Sequence, residues 1–440
     1  MIRDRVSVVL LFLALWIPYA YFNHSDGWNQ NSRLAELHAI VMQGTVRLDA
    51  YLERTGDKSL VNGHYYSEKA PVITALALPA FAATVAVQNA LGVDPDGERG
   101  WAASAWITTA ATVAVLAALG GVAFYALMEA RIGAGNAVIA TFGLFLGTLA
   151  FPYSAALFAH AGTMGFFAIA LWGVLGPSMP RRDALAGLAA GCAVASEYPA
   201  VLACGVLTLY LLWIDRARAA RFIAGTIPAA LLILANNYLT TGSPFHLTYG
   251  ANPQFPEMTT GNLMGFRLPD VGLFPAILWS EYRGLFFWSP YLLMAAPGAV
   301  VLAREDRAVA VLTITVFVVM LLQVSAFYSW HGGNSIGMRY LAAALPFLGL
   351  LAAYGVRRFP EMGAMLALIS IGLMAMVTSI AIDPPSDSLI PLQAYYLPRI
   401  DQGRFIDNVG TLIGLPLWAS LVVPFVVPVL ASWHLVKEVR

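Results

Sequence analysis

Long apolar runs, separated by short charged joints, fill the chain from end to end. They fall near 6–22, 101–128, 136–157, 161–176, 222–239, 285–303, 308–328, 341–356, 362–382 and 411–434. Most approach or reach the roughly 20 apolar residues that cross a hydrocarbon layer about 30 Å thick. Two more apolar stretches, 70–92 and 185–214, contain Pro71, Pro79 and Pro199, which suit broken or short helices. The ten-residue alternating segments of a membrane β-barrel are absent. The pattern predicts an all-α polytopic membrane protein of about 10–12 transmembrane helices, a single domain over 1–440. Residues 1–22 combine a basic start with an apolar run, but "IPYAYFNHS" offers no small-x-small cleavage site. They read as an uncleaved first helix.

Positive charge in short loops sets the orientation. If 70–92 lies in the interface or re-enters, and 185–214 is a hairpin, one side collects nearly all the loop arginines. These are Arg3, Arg5, Arg131, Arg181, Arg182, Arg216, Arg218, Arg221, Arg304, Arg307, Arg357, Arg358 and Arg440, with Lys437. That side is expected to be cytoplasmic, giving ten full spans with both termini inside. Three long segments then face outward: 23–100, 240–284 and 383–410. They hold most of the polar residues outside the short loops.

Composition narrows the classes further. Of 440 residues, 59% are hydrophobic and 11% charged, and the net charge is zero. A basic surplus that would suit nucleic acid is missing. Cys192 and Cys204 lie in apolar sequence with no disulfide or metal-ligand spacing.

The first outer segment carries its own pattern. Leu34, Leu37 and Val41 in "NQNSRLAELHAIVMQ" (29–43) recur at helical spacing, while Arg33, Glu36 and Gln43 point elsewhere. This predicts an amphipathic helix on the membrane surface. Gly44, an extended "TVRLDAYLE" and the polar cluster "NGHYYSEKAP" (62–71) follow, then the apolar segment from Pro71.

That order resembles the first periplasmic loop, with its interfacial helices, of the GT-C superfamily of integral-membrane glycosyltransferases. The bacterial aminoarabinose transferases and protein O-mannosyltransferases belong to it. "YYSEKAP" at 65–71 is similar to the family's "Y-F-E-K-P-P"-like motif. The resemblance implies a polyprenyl-phosphate sugar as donor, and it places Lys69 near the lipid phosphate. A compact cation suits that position. An acidic residue opens the first surface helix in the family, but counting back fifteen residues from Gly44 reaches Asn29. An amide cannot serve as a base, so Asp26 and Asp49 are the nearest candidates. "FPYSAALFAHAG" puts His160 at an outer loop that is acidic in several relatives. "AGCAVASEYPAVLA" holds Glu197 in what resembles the family's broken cytoplasmic-side helix pair, where capping a half-helix near Pro199 is the favoured role. "WHGGNSIGMRY" (330–340) is similar to a W-x-G-G-x-S-x-G-x-R-Y pattern of uncharacterised bacterial members.

Together these imply an inverting glycosyltransferase of the plasma (inner) membrane, with its site on the extracytoplasmic side. Lys69 with Arg283 or Arg339 would neutralise the leaving phosphate, since guanidinium pairs with phosphate bidentately. Asp26 or Asp49 would deprotonate the acceptor. Asn29, His64, Tyr65, Tyr66, Glu68, His160, Trp330, His331 and Tyr340 would shape the sugar and acceptor pocket. No resident metal is expected, as no carboxylate pair stands at ligand spacing. The acceptor, whether glycan, lipid or protein, is open. Three rivals stay open as well: a transporter or flippase, which should show inverted repeats and midplane ionisable groups, a polymer ligase or polymerase, and a silent relative of the transferases.

Overall fold

In the computed structural model, residues 5–259 and 263–437 are described, so the expected cytoplasmic Arg3 and Arg440 lie outside the described residues. Helices dominate. In chain order the first eleven are α1 (Arg5–Tyr21), α2 (Trp28–Gln43), α3 (Val72–Ala90), α4 (Glu98–Ala111), α5 (Val113–Ile132), α6 (Ala134–Phe145), α7 (Ala150–Ser154), α8 (Ala159–Val174), α9 (Pro180–Val194), α10 (Val201–Ile214) and α11 (Arg216–Thr241). The second half adds long helices at Arg307–Ala326, Leu345–Arg358 and Pro360–Ile380, and shorter pieces between and after them. Seven helical segments among the described residues are long and apolar enough to cross a membrane, and four more are apolar but shorter. The chain is a multi-pass membrane protein of the expected all-α class.

Several expected spans are broken rather than continuous. The 136–157 run splits into α6 and α7, and 285–303 splits at Ser289 and Pro290 into Leu285–Trp288, a 3-10 turn and Ala295–Glu305. Pro290 supplies no backbone N–H and disfavours helix in the residue before it, so the first piece stops there. By contrast, α3 continues through Pro79 without a break. Pro71 stands at its N-cap, where a missing N–H costs nothing. Although α3 is long enough to cross, both its ends stay with the first outer segment. The Thr74 hydroxyl donates to Glu36 (2.9 Å), and the Gln88 amide donates to the Gly100 carbonyl (2.8 Å). Phe81 and Trp101 sandwich His38, with ring centroids 4.7 and 4.3 Å away.

The hairpin expected at 185–214 is present. Arg218 Nε and Arg221 Nη2 each donate to Asp183 at 2.9 Å, so α9 begins where α10 ends. Arg218 also donates to the Val174 carbonyl, and Arg131 donates to the Leu175 carbonyl and the Tyr354 hydroxyl. Arg357 pairs with Glu305. The loop arginines therefore meet at one end of the bundle. The α9–α10 tip reaches the other end, where the Val72 N–H donates to the Ala195 carbonyl (2.9 Å).

The first outer segment holds a feature that an all-helical reading omits. Lys58–Val61 (β1) and His64–Ser67 (β2) form an antiparallel hairpin with Lys58 opposite Ser67 and Val61 opposite His64. Its turn is Asn62–Gly63, with φ of 51° and 81°. Positive φ at both central residues is what a two-residue type I′ turn requires, and it matches the twist of the strands. The expected extended segment before it is partly a 3-10 turn, Asp49–Arg54.

Candidate functional site

Beside the hairpin opens a cavity of about 1200 Å³. Its polar wall is built by Asn29, Arg33, Asp57, Glu68, Lys69, His160, Glu197, His331, Arg339, Tyr340 and Asp383. An apolar flank adds Val201, Leu202, Val319, Met320, Leu322 and Phe266.

Helix α2 supplies the first side. It was expected to lie on the membrane with its polar face outward, but Arg33, Glu36 and His38 are buried. The hairpin and α3 cover the helix, so its polar residues turn inward and pair there. Asn29 Oδ1 accepts from Arg33 at 2.7 Å. The amide found where an acid was expected is thus the partner of a buried guanidinium. Ser32 donates to the Asp57 carbonyl (2.6 Å), and Gln30 Oε1 accepts from the Leu157 N–H (3.2 Å). Those two bonds fix α2 against the hairpin and against the turn that precedes His160. Burial raises the Glu36 carboxyl to about 7, against the Thr74 hydroxyl and Arg33, which lower it.

Hairpin register supplies the second side. Asp57 just precedes β1, and Glu68 and Lys69 just follow β2, so pairing the strands brings the three together. Lys69 Nζ lies 2.7 Å from both Asp57 Oδ2 and Glu68 Oε1. Glu68 Oε2 accepts from the Asn252 amide, also at 2.7 Å. Burial acts to lower the Lys69 pKa, but Asp57 and Glu68 outweigh it and hold the ammonium above its ordinary value. Asp57 was not singled out in the sequence, because its partner becomes close only through the hairpin.

The third side is the glycine-rich segment 330–340. The Tyr153 hydroxyl donates to the Ile336 carbonyl (2.9 Å), and the Ile336 N–H donates to the Ile382 carbonyl (3.0 Å). The Ser386 N–H donates to Asn334 Oδ1 (2.9 Å), which brings Asp383 to the wall. Arg283 donates from three nitrogens to the carbonyls of Tyr282, His331 and Gly333, at 2.8–2.9 Å. It is fully buried and supports the segment without lining the cavity. Arg339 lines the cavity, and its Nε is buried with no hydrogen-bond partner. Gly332 lies at φ 77°, and a Cβ there would meet Arg339 Nε at 3.0 Å. The missing side chain lets the backbone pass that close.

The last side is the α9–α10 tip. His160 Nδ1 lies 3.2 Å from Glu197 Oε1. Glu197 makes no side-chain cap of the turn it precedes, which overturns the capping role expected for it. Released from that role, it turns to the cavity. His160 Nε2 is buried and unpartnered.

The remaining expected site residues lie elsewhere. Asp49 is exposed. Its carboxylate accepts from the Tyr65 N–H (2.8 Å) and meets His64 Nδ1 at 2.7 Å, so it braces the hairpin. Tyr65 and Tyr66 stand on β2, and Trp330 packs edge-on against Tyr282 with centroids 6.0 Å apart. Asp26 is exposed beside Asp383. Burial, then the charge of Asp26, raises Asp383 to about 6. Asp383, Asp57 and Arg33 are wall residues that sequence reading did not select, and Glu197 is a fourth, read there as a helix cap. Among the described residues no group of three or more His, Cys, Asp or Glu is gathered to hold a metal ion.

The chain superposes on two crystal structures of ArnT from Cupriavidus metallidurans. For the one bound to undecaprenyl phosphate the TM-score is 0.51 at 16% identity, covering 98% of this chain and 74% of that chain. For the apo state the TM-score is 0.52 at 16% identity, covering 97% and 74%. The likeness establishes a GT-C-like fold over nearly the whole chain. No protein-family model and no curated protein matches the sequence.

Proposed function

We propose that this chain transfers a sugar from a polyprenyl-phosphate donor to a hydroxyl-bearing acceptor. The observation that carries the reading is the cavity itself. It joins an apolar flank suited to a prenyl tail to a polar wall with a buried, unpartnered arginine nitrogen. A ligand with a lipid tail and a phosphate head matches both halves. The shared fold supports the same reading, since one of the similar structures binds undecaprenyl phosphate.

Arg339 is the leading phosphate ligand. Its charge would stabilise the oxygen that bears the electron pair as the glycosidic bond breaks. Lys69 lines the same wall, where two carboxylates hold its ammonium. His331 and Tyr340 line the same wall and would contact the sugar. The orientation follows from the arginines. Helix α8 runs from His160 at the cavity to Val174 beside Arg218, about 22 Å at 1.5 Å per residue. The cavity and the basic end thus lie at opposite ends of the bundle, which with the positive-inside rule supports an extracytoplasmic cavity.

The test is transfer from radiolabelled polyprenyl-phosphate sugars in proteoliposomes. The intact chain should transfer at least one of them, and Arg339→Gln should lower kcat by about 100-fold or more. A wild-type protein that transfers none, while still binding undecaprenyl phosphate, would replace this reading with lipid transport or a silent partner role.

A further inference from the structure

We infer that His160 and Glu197 form an imidazole–carboxylate dyad that acts as general base on the sugar acceptor, in place of a carboxylate from the first outer segment. The inference rests on the transfer reaction proposed above.

The geometry gives His160 one engaged nitrogen and one open one. Nδ1 faces Glu197 Oε1 at 3.2 Å, and Nε2 is buried without a partner. A carboxylate at Nδ1 favours the tautomer with its proton there, which leaves a lone pair on Nε2. Catalytic histidines are oriented in this way by an acidic partner. An open acceptor in a site 2% exposed is costly unless a ligand donor completes it. Both residues line the same cavity as Arg339.

The ring is held on several sides. Tyr153 packs edge-on, with centroids 5.3 Å apart, and Tyr340 does so at 6.2 Å. The charged groups facing the pair are Arg33 and Arg339, both of which stabilise the Glu197 carboxylate. Glu197 can turn to His160 because the helix breaks before it.

Other bases are less available. Residue 29 is an amide bonded to Arg33. Asp49 is exposed away from the cavity, and Asp26 is exposed beside Asp383 without itself lining the cavity. Asp57 and Glu68 are both engaged by Lys69. Asp383 is the other free wall carboxylate, and it lacks an orienting partner of this kind.

The step balances as follows. The acceptor hydroxyl passes its proton to His160 Nε2 while its oxygen bonds to the anomeric carbon. The bond from that carbon to the phosphate oxygen breaks, and the electron pair leaves with the lipid phosphate. The imidazolium then returns its proton to water or to the departing phosphate. Glu197 is a positioning residue throughout.

The experiment compares wild type, His160→Gln, Glu197→Gln and Asp383→Asn in proteoliposomes. It reads kcat, donor KM and binding of undecaprenyl phosphate. His160→Gln should lose about 100-fold or more in kcat, with lipid binding within threefold of wild type. Glu197→Gln should keep donor KM and move the acid limb of the kcat–pH profile to lower pH. Without the neighbouring anion the imidazolium is less stabilised, so the ring becomes a free base sooner as pH rises. This second variant decides the matter if His160→Gln fails to fold. Wild-type transfer with kcat within threefold in His160→Gln would overturn the dyad alone, as would an unmoved profile in Glu197→Gln. Asp383→Asn abolishing transfer while His160→Gln does not would assign the base to Asp383. No wild-type transfer from any donor would remove the proposed reaction and the dyad with it.

Discussion

Lys69 and His160 face one cavity, and each stands beside carboxylate, but the two pairings are built differently. Lys69 has two carboxylates for one ammonium, and Glu68 is further held by Asn252. His160 has one carboxylate, and its second nitrogen is left open. The first arrangement is closed and holds its charge. The second is unfinished without a ligand. Closed pairs serve architecture and open ones serve chemistry, and the sequence presents both as a basic residue near an acidic one.

Lys69→Met is expected to have the largest effect. It would leave Asp57 and Glu68 buried against each other with no cation. Removing one partner of a buried ion pair typically costs about 3–5 kcal/mol. A steep fall in thermal unfolding temperature, or failure to fold in detergent, is expected. A Lys69→Met protein as stable as wild type would show that the cluster is not closed.

Asn252→Ala should cost less, about 1–3 kcal/mol, by depriving Glu68 of a buried donor. The lost stability should appear in thermal unfolding while the His160 and Glu197 kinetics described above stay distinct. If Asn252→Ala instead changed kcat with no change in stability, the division between the two pairs would not hold.

The smallest effect belongs to Asp49→Asn, roughly 1 kcal/mol or less, because the His64 contact is largely exposed. Its slight burial raises the Asp49 pKa, but the Tyr65 N–H and His64 outweigh it, so the folded value lies below the ordinary one. A depressed carboxylate stabilises the fold above its unfolded pKa and loses that contribution as pH falls through the folded pKa. The wild type should therefore lose a little more stability than Asp49→Asn on acidification below about pH 4. Unfolding curves at pH 6 and pH 3.5 would measure it.

Much of this was legible from the sequence. Apolar length gave the class, and arginine placement gave the shared basic end that Arg131, Arg218 and Arg357 occupy. The "SEKAP" and "WHGGNSIGMRY" stretches do reach one cavity through Glu68, Lys69, His331, Arg339 and Tyr340. What failed to show has physical reasons. Asp57 meets Lys69 only through strand pairing, and Asp383 reaches the wall because its neighbours Ile382 and Ser386 bond to the Ile336 N–H and the Asn334 side chain. Arg33 looked like an outward face because periodicity marks the apolar side of a helix and cannot say what covers the polar one. Arg283 and Arg339 look alike in sequence, yet one is consumed by three carbonyls. The hairpin did carry a readable signal, since Asn-Gly between strand-like runs is a strong turn marker.

That turn has a practical consequence. Asn62 sits exposed at the hairpin tip, away from the cavity wall, whereas Cys192 and Cys204 are half-buried in apolar helices. A single thiol installed at the tip would be the accessible one, and a membrane-impermeant label would read it from only one face of the bilayer. The two-residue turn thus doubles as a marker of sidedness.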